Sequence, residues 1–160
     1  MLTPRKFIAE ALLDQLVTGI AKAGITIKLP TRIVRTIPNI NTGDMPALLL
    51  WHPSEEGRQE HYAMEKWKLH FVAWLVFQAD PSFNAPTPPD DVICDYLDAI
   101  DAALDGQKNG DLSGNKISLG GLVNNVWIDG IVQIDSTAIN QTVVIEVPIS
   151  VDSGSSGPNS

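Results

Sequence analysis

The stretch from Lys66 to Phe77 carries two hydrophobic patterns within one predicted strand. Its odd positions, from Trp67 to Phe77, are all apolar, which is typical of a β-strand with one buried face. Its even positions begin polar and then become apolar: Lys66, Lys68 and His70, then Val72, Trp74 and Val76. The second half of this strand therefore presents apolar side chains on both faces, so we expect another element or another chain to cover its outer face.

Two segments have the three- and four-residue apolar spacing of amphipathic helices. Residues 4–23 place one apolar stripe along a helix that we expect to end at Gly24. Residues 89–106 follow a proline-rich segment and end at Gly106, and they place apolar and acidic side chains on opposite sides.

The remaining apolar runs predict strands at 32–37, 45–51, 62–79, 122–135 and 141–151. The polar segment 52–62 is predicted to be a hairpin loop. In the predicted strand 122–135, Gly130 is a candidate position for a β-bulge. The order of elements predicts an α+β fold, a mostly antiparallel sheet of about five strands with two helices packed on one face. We expect one domain over residues 1–151 and a disordered C-terminal tail over 152–160.

Charge is unevenly distributed along the 160 residues. The net charge is −8, but residues 1–35 hold six bases against two acids, a balance of +4, so the rest carries −12. An acidic chain lacks the basic face that general nucleic-acid binding requires. The asymmetry permits a subunit whose positive side meets the negative side of a copy or partner. We expect no signal peptide and no membrane span.

The second predicted helix carries a row of carboxylates, Asp90, Asp91, Asp95, Asp98, Asp101 and Asp105. Two interpretations stay open: a solvated helix face, or a surface that repels a polyanion or docks a basic partner. Glu55 and Glu56 form a second acidic candidate in the predicted loop.

We find no motif for catalysis, a cofactor or a metal. His52, His61 and His70 are nine residues apart, which is not a zinc spacing, and Cys94 is predicted to pack beside the apolar helix face. The sequence therefore predicts a protein that is not an enzyme and that holds no cofactor and no metal.

The chain resembles the tail terminator family of long-tailed bacteriophages, whose lambda-type member caps the tail tube. The resemblance covers about residues 4–151: an N-terminal helix, RIVRTI, TGDMPALLLW, KWKLHFVAWLVF, PPDDVICDYLDAIDAAL and the closing strands VWIDGIVQID and TVVIEVPISV. It implies a virion protein of the tail or neck, assembled in the host cytoplasm. Its partners would be its own copies in a ring, expected to be a hexamer, the tail tube protein and the head connector protein. DNA would pass through as cargo without specific binding.

On this interpretation, Val72, Trp74 and Val76, with Arg32 and Arg35, contact a neighbouring subunit or the tube. The acidic channel or partner face would comprise Asp91, Asp95, Asp98, Asp105, Glu55 and Glu56. One alternative is that the same chain covers Trp74. Others are a head-completion or connector neck protein, and a small carbohydrate-binding module that uses tryptophans for sugar stacking.

Overall fold

The computed structural model of the protein describes residues 4–33, 40–60, 64–78, 89–105, 119, 122–136 and 142–155. Two α-helices are present among them, α1 (Arg5–Lys22) and α2 (Pro89–Ala103), with a short 3₁₀ helix at Thr42–Asp44. Six strands are described: β1 (Leu29–Arg32), β2 (Ala47–Glu60), β3 (Met64–Gln78), β4 (Asn125–Ile128), β5 (Gln133–Ser136) and β6 (Thr142–Ser155).

The strands form one mixed sheet in the order β1-β2-β3-β6-β4, and β5 also pairs with β6. Only the β1–β2 pair is parallel, and the other pairs are antiparallel. The apolar stripe of α1 and the inner side of α2 pack on the same face of this sheet. The predicted α+β class, with a mostly antiparallel sheet and two helices on one face, is confirmed.

Helix α1 matches the predicted segment 4–23 closely, and Gly24 follows its C-terminus as predicted. Gly24 has φ 92°, a conformation that suits glycine, and its N–H donates to the carbonyl of Ala21. Ile8, Leu12, Leu16 and Ile20 are almost completely buried, so the three- and four-residue spacing correctly located the core face.

Strand β2 continues through most of the segment predicted to be a loop, which corrects the 52–62 assignment. After a register shift between Trp51 and Ser54, it pairs with β3 as far as Glu60 opposite Met64. From Ser54 to Glu60 this arm consists of polar residues and one glycine, and Ser54, Glu55 and Glu56 all keep contact with solvent. A Cβ at Gly57 would lie 2.8 Å from the ring of Trp67 on the paired strand, so the glycine makes room for that ring.

The predicted strand at 122–135 is two short strands, β4 and β5, and this explains why the sheet has six strands. Both pair with β6 on either side of Pro148. The Pro148 carbonyl accepts a hydrogen bond from the Asp129 N–H at 2.9 Å. Because the nitrogen and the carbonyl of a strand residue point to the same side, the nitrogen of Pro148, which carries no hydrogen, also faces β4 and β5. The ladder breaks there, and Gly130, at φ 130°, turns the chain.

Two other boundaries differ from the sequence prediction. The first strand runs from Leu29 to Arg32, so it shares only Arg32 with the predicted 32–37 strand, and residues 34–39 lie outside the described part. Strand β6 extends to Ser155 because its end pairs with β3 and β4. Residues 152–155 are therefore strand and not the predicted disordered tail, while residues 156–160 are outside the described part.

The two helices meet without space for a side chain at Gly19. A Cβ at this position would lie 2.5 Å from Cβ and 2.6 Å from Cα of Ala103, so the helices are in direct backbone contact. Nearby, Gln15 Nε2 donates to the Ala103 carbonyl at 2.8 Å. This contact sets the distance between the helices above the sheet.

We expect Gly19→Ala to destabilise the fold although alanine favours helices. Overpacking costs about 1–3 kcal/mol, which exceeds the gain of roughly 1 kcal/mol from helix propensity. Urea unfolding measures the difference. Gly43→Ala is the matched control, because a Cβ there meets nothing within 4 Å. Equal stability of the Gly19 variant and the wild type would show that the helices can separate at low cost.

Candidate assembly surfaces

The outer face of β3 is covered within the chain in its apolar half. Trp74 is 8% exposed and Val76 is 3% exposed, and both belong to a second apolar cluster with Met45, Ala47 and Leu49. Half-buried side chains that pack against this cluster come from the segment before β2 and from the sheet: Leu29, Ile33, Ile40, Trp51, Val72 and Val144. The segment from β1 to β2 therefore contributes much of the cover of the outer face.

Trp74 is consequently not an exposed anchor for another subunit, and this favours the alternative of coverage by the same chain. Its ring stacks on Trp51 at 5.6 Å between centroids, and its Nε1 donates to Glu146 Oε2 at 3.3 Å. Val76 is equally inaccessible. Of the three predicted interface residues on β3, Val72, Trp74 and Val76, Val72 alone is half-buried, whereas the other two are buried.

The predicted basic contact residues can be placed only in part. Arg32 lies on β1 with 45% of its side chain exposed, and its Nη1 is 3.7 Å from Glu10 Oε1 on α1. This distance makes a weak, solvent-screened ion pair. Arg35 lies outside the described residues.

The predicted acidic residues do not form one surface. Asp91, Asp95, Asp98 and Asp101 are exposed on α2, and together we call them the acidic helix face, whereas Asp105 is half-buried. Cys94 is also exposed on this helix, so the expectation that it packs beside the core is wrong. The opposite side of α2 packs inward, with Tyr96 stacked on Phe77 of β3 at 3.8 Å. Burial accordingly raises the pKa of the Tyr96 phenol.

Glu55 and Glu56 are neighbours on β2 and point to opposite faces of the sheet. On the helix side, the Nε–H of Arg5 is shared between the two carboxylate oxygens of Glu55, at 2.8 and 2.6 Å. Glu56 is 73% exposed on the other side, and its Oε1 is 3.6 Å from His70 Nε2. Only Glu56 is therefore an open carboxylate, because Glu55 is engaged by Arg5.

A cleft of about 650 Å³ opens between the start of α1 and strands β1 and β2. Its lining combines bases with apolar surface: Arg5, Lys6, Arg32, His52, Ala9, Leu13, Pro30, Thr31, Ile33, Leu50, Trp51 and Phe71. We call it the basic cleft. The sequence predicts the positive charge of this region but not its shape, because the cleft is formed by α1, β1 and β2 together.

His52 lines the basic cleft and is partly buried there. It stacks on Phe71 at 4.7 Å, and burial lowers the pKa of its imidazole although Glu55 acts in the opposite direction. Its Nε2 is 3.3 Å from Glu55 Oε2, but the geometry is not that of a hydrogen bond. The cation that binds Glu55 is therefore Arg5, whose guanidinium also lies 4.9 Å from the Trp67 ring.

A polar network on the outer face was not predicted. Ser150 on β6 is 1% exposed, and its Oγ donates to Asp129 Oδ2 at 2.7 Å. Lys68 Nζ is 2.9 Å from the same oxygen, and the pKa of the Asp129 carboxyl is lowered, chiefly by Lys68 and then by Ser150. His70 Nδ1 lies 3.2 Å from Ser150 Oγ. The network therefore joins β3, β6 and the end of β4.

This network resembles a serine–histidine pair only in composition. Ser150 Oγ donates its single proton to Asp129 Oδ2, and His70 Nδ1 lies 3.2 Å from the same Oγ. The hydroxyl is thus directed to a carboxylate and not to the imidazole, whereas a serine–histidine pair directs it to the imidazole. The network instead links β3, β6 and the end of β4 through side-chain hydrogen bonds and an ion pair. Among the described residues there is also no group of three His, Cys, Asp or Glu side chains that could hold a metal.

No protein-family model matches the chain, and no curated protein is similar to it. In the part of the chain that the structure describes, neither helix has the length and hydropathy needed to cross a membrane.

Glu55→Gln tests the Arg5–Glu55 pair. Hydrogen bonding by Arg5 holds the pKa of the Glu55 carboxyl below its ordinary value of 4.5. The unfolded state therefore binds more protons near that pH, so the stabilisation is present above about pH 4.5 and is lost as the pH falls through the folded-state pKa. We expect a loss of about 0.5–1 kcal/mol at pH 7, after allowing for solvent exposure, that shrinks in acid.

Urea unfolding over a series of pH values measures this difference. Glu56→Gln is the matched control, since the same change is made one residue away at an exposed carboxylate. We expect it to alter stability by less than about 0.5 kcal/mol. Equal losses in both variants at neutral pH would contradict a specific role for Arg5 and Glu55.

Proposed function

We propose that the protein is a structural subunit of a phage tail, a tail terminator that forms a ring on the end of the tail tube. The ring ends tube polymerisation and provides the surface that joins the head. The protein would act in the tail or neck of the virion after assembly in the host cytoplasm. The order and residues of the elements, which resemble that family over about residues 4–151, support the assignment to the tail.

The observation that carries the ring is the separation of charge between one edge of the sheet and helix α2. The basic cleft lies where α1 meets β1 and β2, at one end of the strand order. The acidic helix face lies on α2, which packs toward β3 through Tyr96 and Phe77. A subunit that is basic at one edge of the sheet can use that edge in head-to-tail contacts and leave the acidic helix face free, and such contacts close into a ring when the rotation between copies allows it.

Edge-to-edge packing also leaves both faces of the sheet free of subunit contacts. The layer of helices then faces the channel, with the acidic helix face inward. A negative wall repels DNA phosphates, so DNA passes without binding. No nucleotide sequence is read in this arrangement, which fits the excess of acids over bases in the whole chain.

The carbohydrate-binding alternative finds little support in the tryptophans. Trp74 is 8% exposed and stacked on Trp51. Trp67 is covered by Arg5 on one side and lies against Gly57. Sugar stacking needs open, coplanar rings, and these rings are occupied by protein. The connector alternative differs from the terminator in its partner and is distinguished by experiment.

We expect the purified protein to cap one end of tail tubes assembled from the tube protein of the same phage. Light scattering after a sizing column, with and without tubes, measures the mass of the assembly, and negative-stain images locate it. Parallel mixtures with portal-bearing heads serve as the comparison. Binding to heads and not to tubes would replace the terminator with a connector. Binding to neither would remove the neck assignment.

A further inference from the structure

Two isoleucines are exposed at the free edge formed by β4 and β5. Ile131 is 80% exposed and Ile134 is 46% exposed, and the other large apolar side chain with comparable exposure in the described residues is Phe7. Both strands pair only with β6, so their outer edge is open within the described sheet. We call Ile131 and Ile134 the isoleucine edge.

The isoleucine edge protrudes because of Pro148. This residue has no N–H to offer the neighbouring strand, so the ladder is broken between Ile128 and Gln133. Gly130 turns the chain, and a Cβ there would lie 3.2 Å from the Pro148 ring. The local backbone thus presents Ile131 outward and gives it almost no cover from its own chain.

We infer that the isoleucine edge of one copy inserts into the basic cleft of the next copy. The cleft, at about 650 Å³, has room for branched aliphatic side chains, and half-buried Leu13, Ile33 and Trp51 give it apolar walls. Removing exposed isoleucine surface from water stabilises such a contact by about 25 cal/mol per Å² of apolar area. Exposed apolar side chains beside an open strand edge suit a protein contact.

Charge complementarity selects a second copy as the occupant. The cleft carries Arg5, Lys6 and Arg32, and the isoleucine edge is flanked by the exposed acids Asp129 and Asp135. Asp129 already binds Lys68, so Asp135 is the carboxylate that meets Arg32. Among the described residues, Arg32 has a weak 3.7 Å contact with Glu10, and 45% of its side chain is exposed, so it can reorient toward a new partner.

The positions of the two surfaces determine the symmetry of the contact. The basic cleft is at the β1 end of the strand order, and the isoleucine edge is at the β4–β5 end. A contact between unlike surfaces at opposite ends is head-to-tail, so each copy uses both surfaces once. Closure into a ring rests on the proposed function, whereas the contact between copies does not.

The test uses one variant on each surface. Ile131→Asp disrupts the isoleucine edge and leaves the cleft intact, and Arg32→Glu does the reverse. We expect each to raise the concentration needed for assembly by about tenfold or more, measured by light scattering and sedimentation velocity. Lys6→Glu is a second cleft variant. Thr26→Asp, in the exposed connection after α1, is the matched control and should assemble like the wild type. Circular dichroism checks the fold of each.

Mixing Ile131→Asp with Arg32→Glu gives the decisive result. Each variant keeps one functional surface, so the mixture should form a one-to-one dimer and no ring, because the remaining surfaces are both blocked. A monomeric wild type, or variants that assemble like the control, would overturn the contact. A wild type that assembles through this contact but ignores tail tubes would leave the contact standing and contradict the terminator function.

Discussion

The fold depends on one constraint, the two apolar faces in the second half of β3. Phe71, Ala73 and the following odd residues need the helices on one side, whereas Trp74 and Val76 need cover on the other. Leu29, Ile33 and Met45, in and between strands β1 and β2, supply part of that second cover, and β1 pairs with β2 in parallel. The first half of β3 has a polar outer face, so the β2–β3 arm can extend beyond the apolar core.

Polar contacts at the arm are local and specific. Arg5 joins the start of α1 to Glu55 on β2, so the helix is attached to the arm as well as to the core. On the other face, Ser150 and Asp129 join β6 to β4 beside Lys68. Ser150 is buried, and a buried hydroxyl is costly unless it is paired, so its bond to Asp129 favours one register of β6 and β4 over its alternatives. The arrangement resembles catalytic chemistry in its residue types, yet it directs the serine proton to a carboxylate.

The two ends of the sheet differ because one proline lies in the edge strand β1 and another lies in β6, beside the opposite edge. Pro30 lies in the four-residue β1, where a short strand with a proline is a poor template for further pairing. Pro148 instead interrupts the pairing of β6 with β4 and β5, and Ile131, in the gap between those two strands, is exposed to solvent. One end is thus a cleft with basic and apolar walls, and the other is an apolar projection with acids beside it. That difference gives the subunit a direction, which a ring of identical copies requires.

Periodicity by itself determined both helices, the strand β3, the inner face of β6 and the α+β class, because regular burial leaves a regular pattern in the sequence. Net charge also indicated the basic N-terminal region. Tertiary structure alone decided that 52–60 is strand, since cross-strand pairing with β3 overrides its polar composition. It alone decided that Trp74 is covered by its own chain and that Glu55 and Glu56 face apart. These outcomes depend on pairing and packing between separate elements of the fold, which the pattern within one segment does not encode.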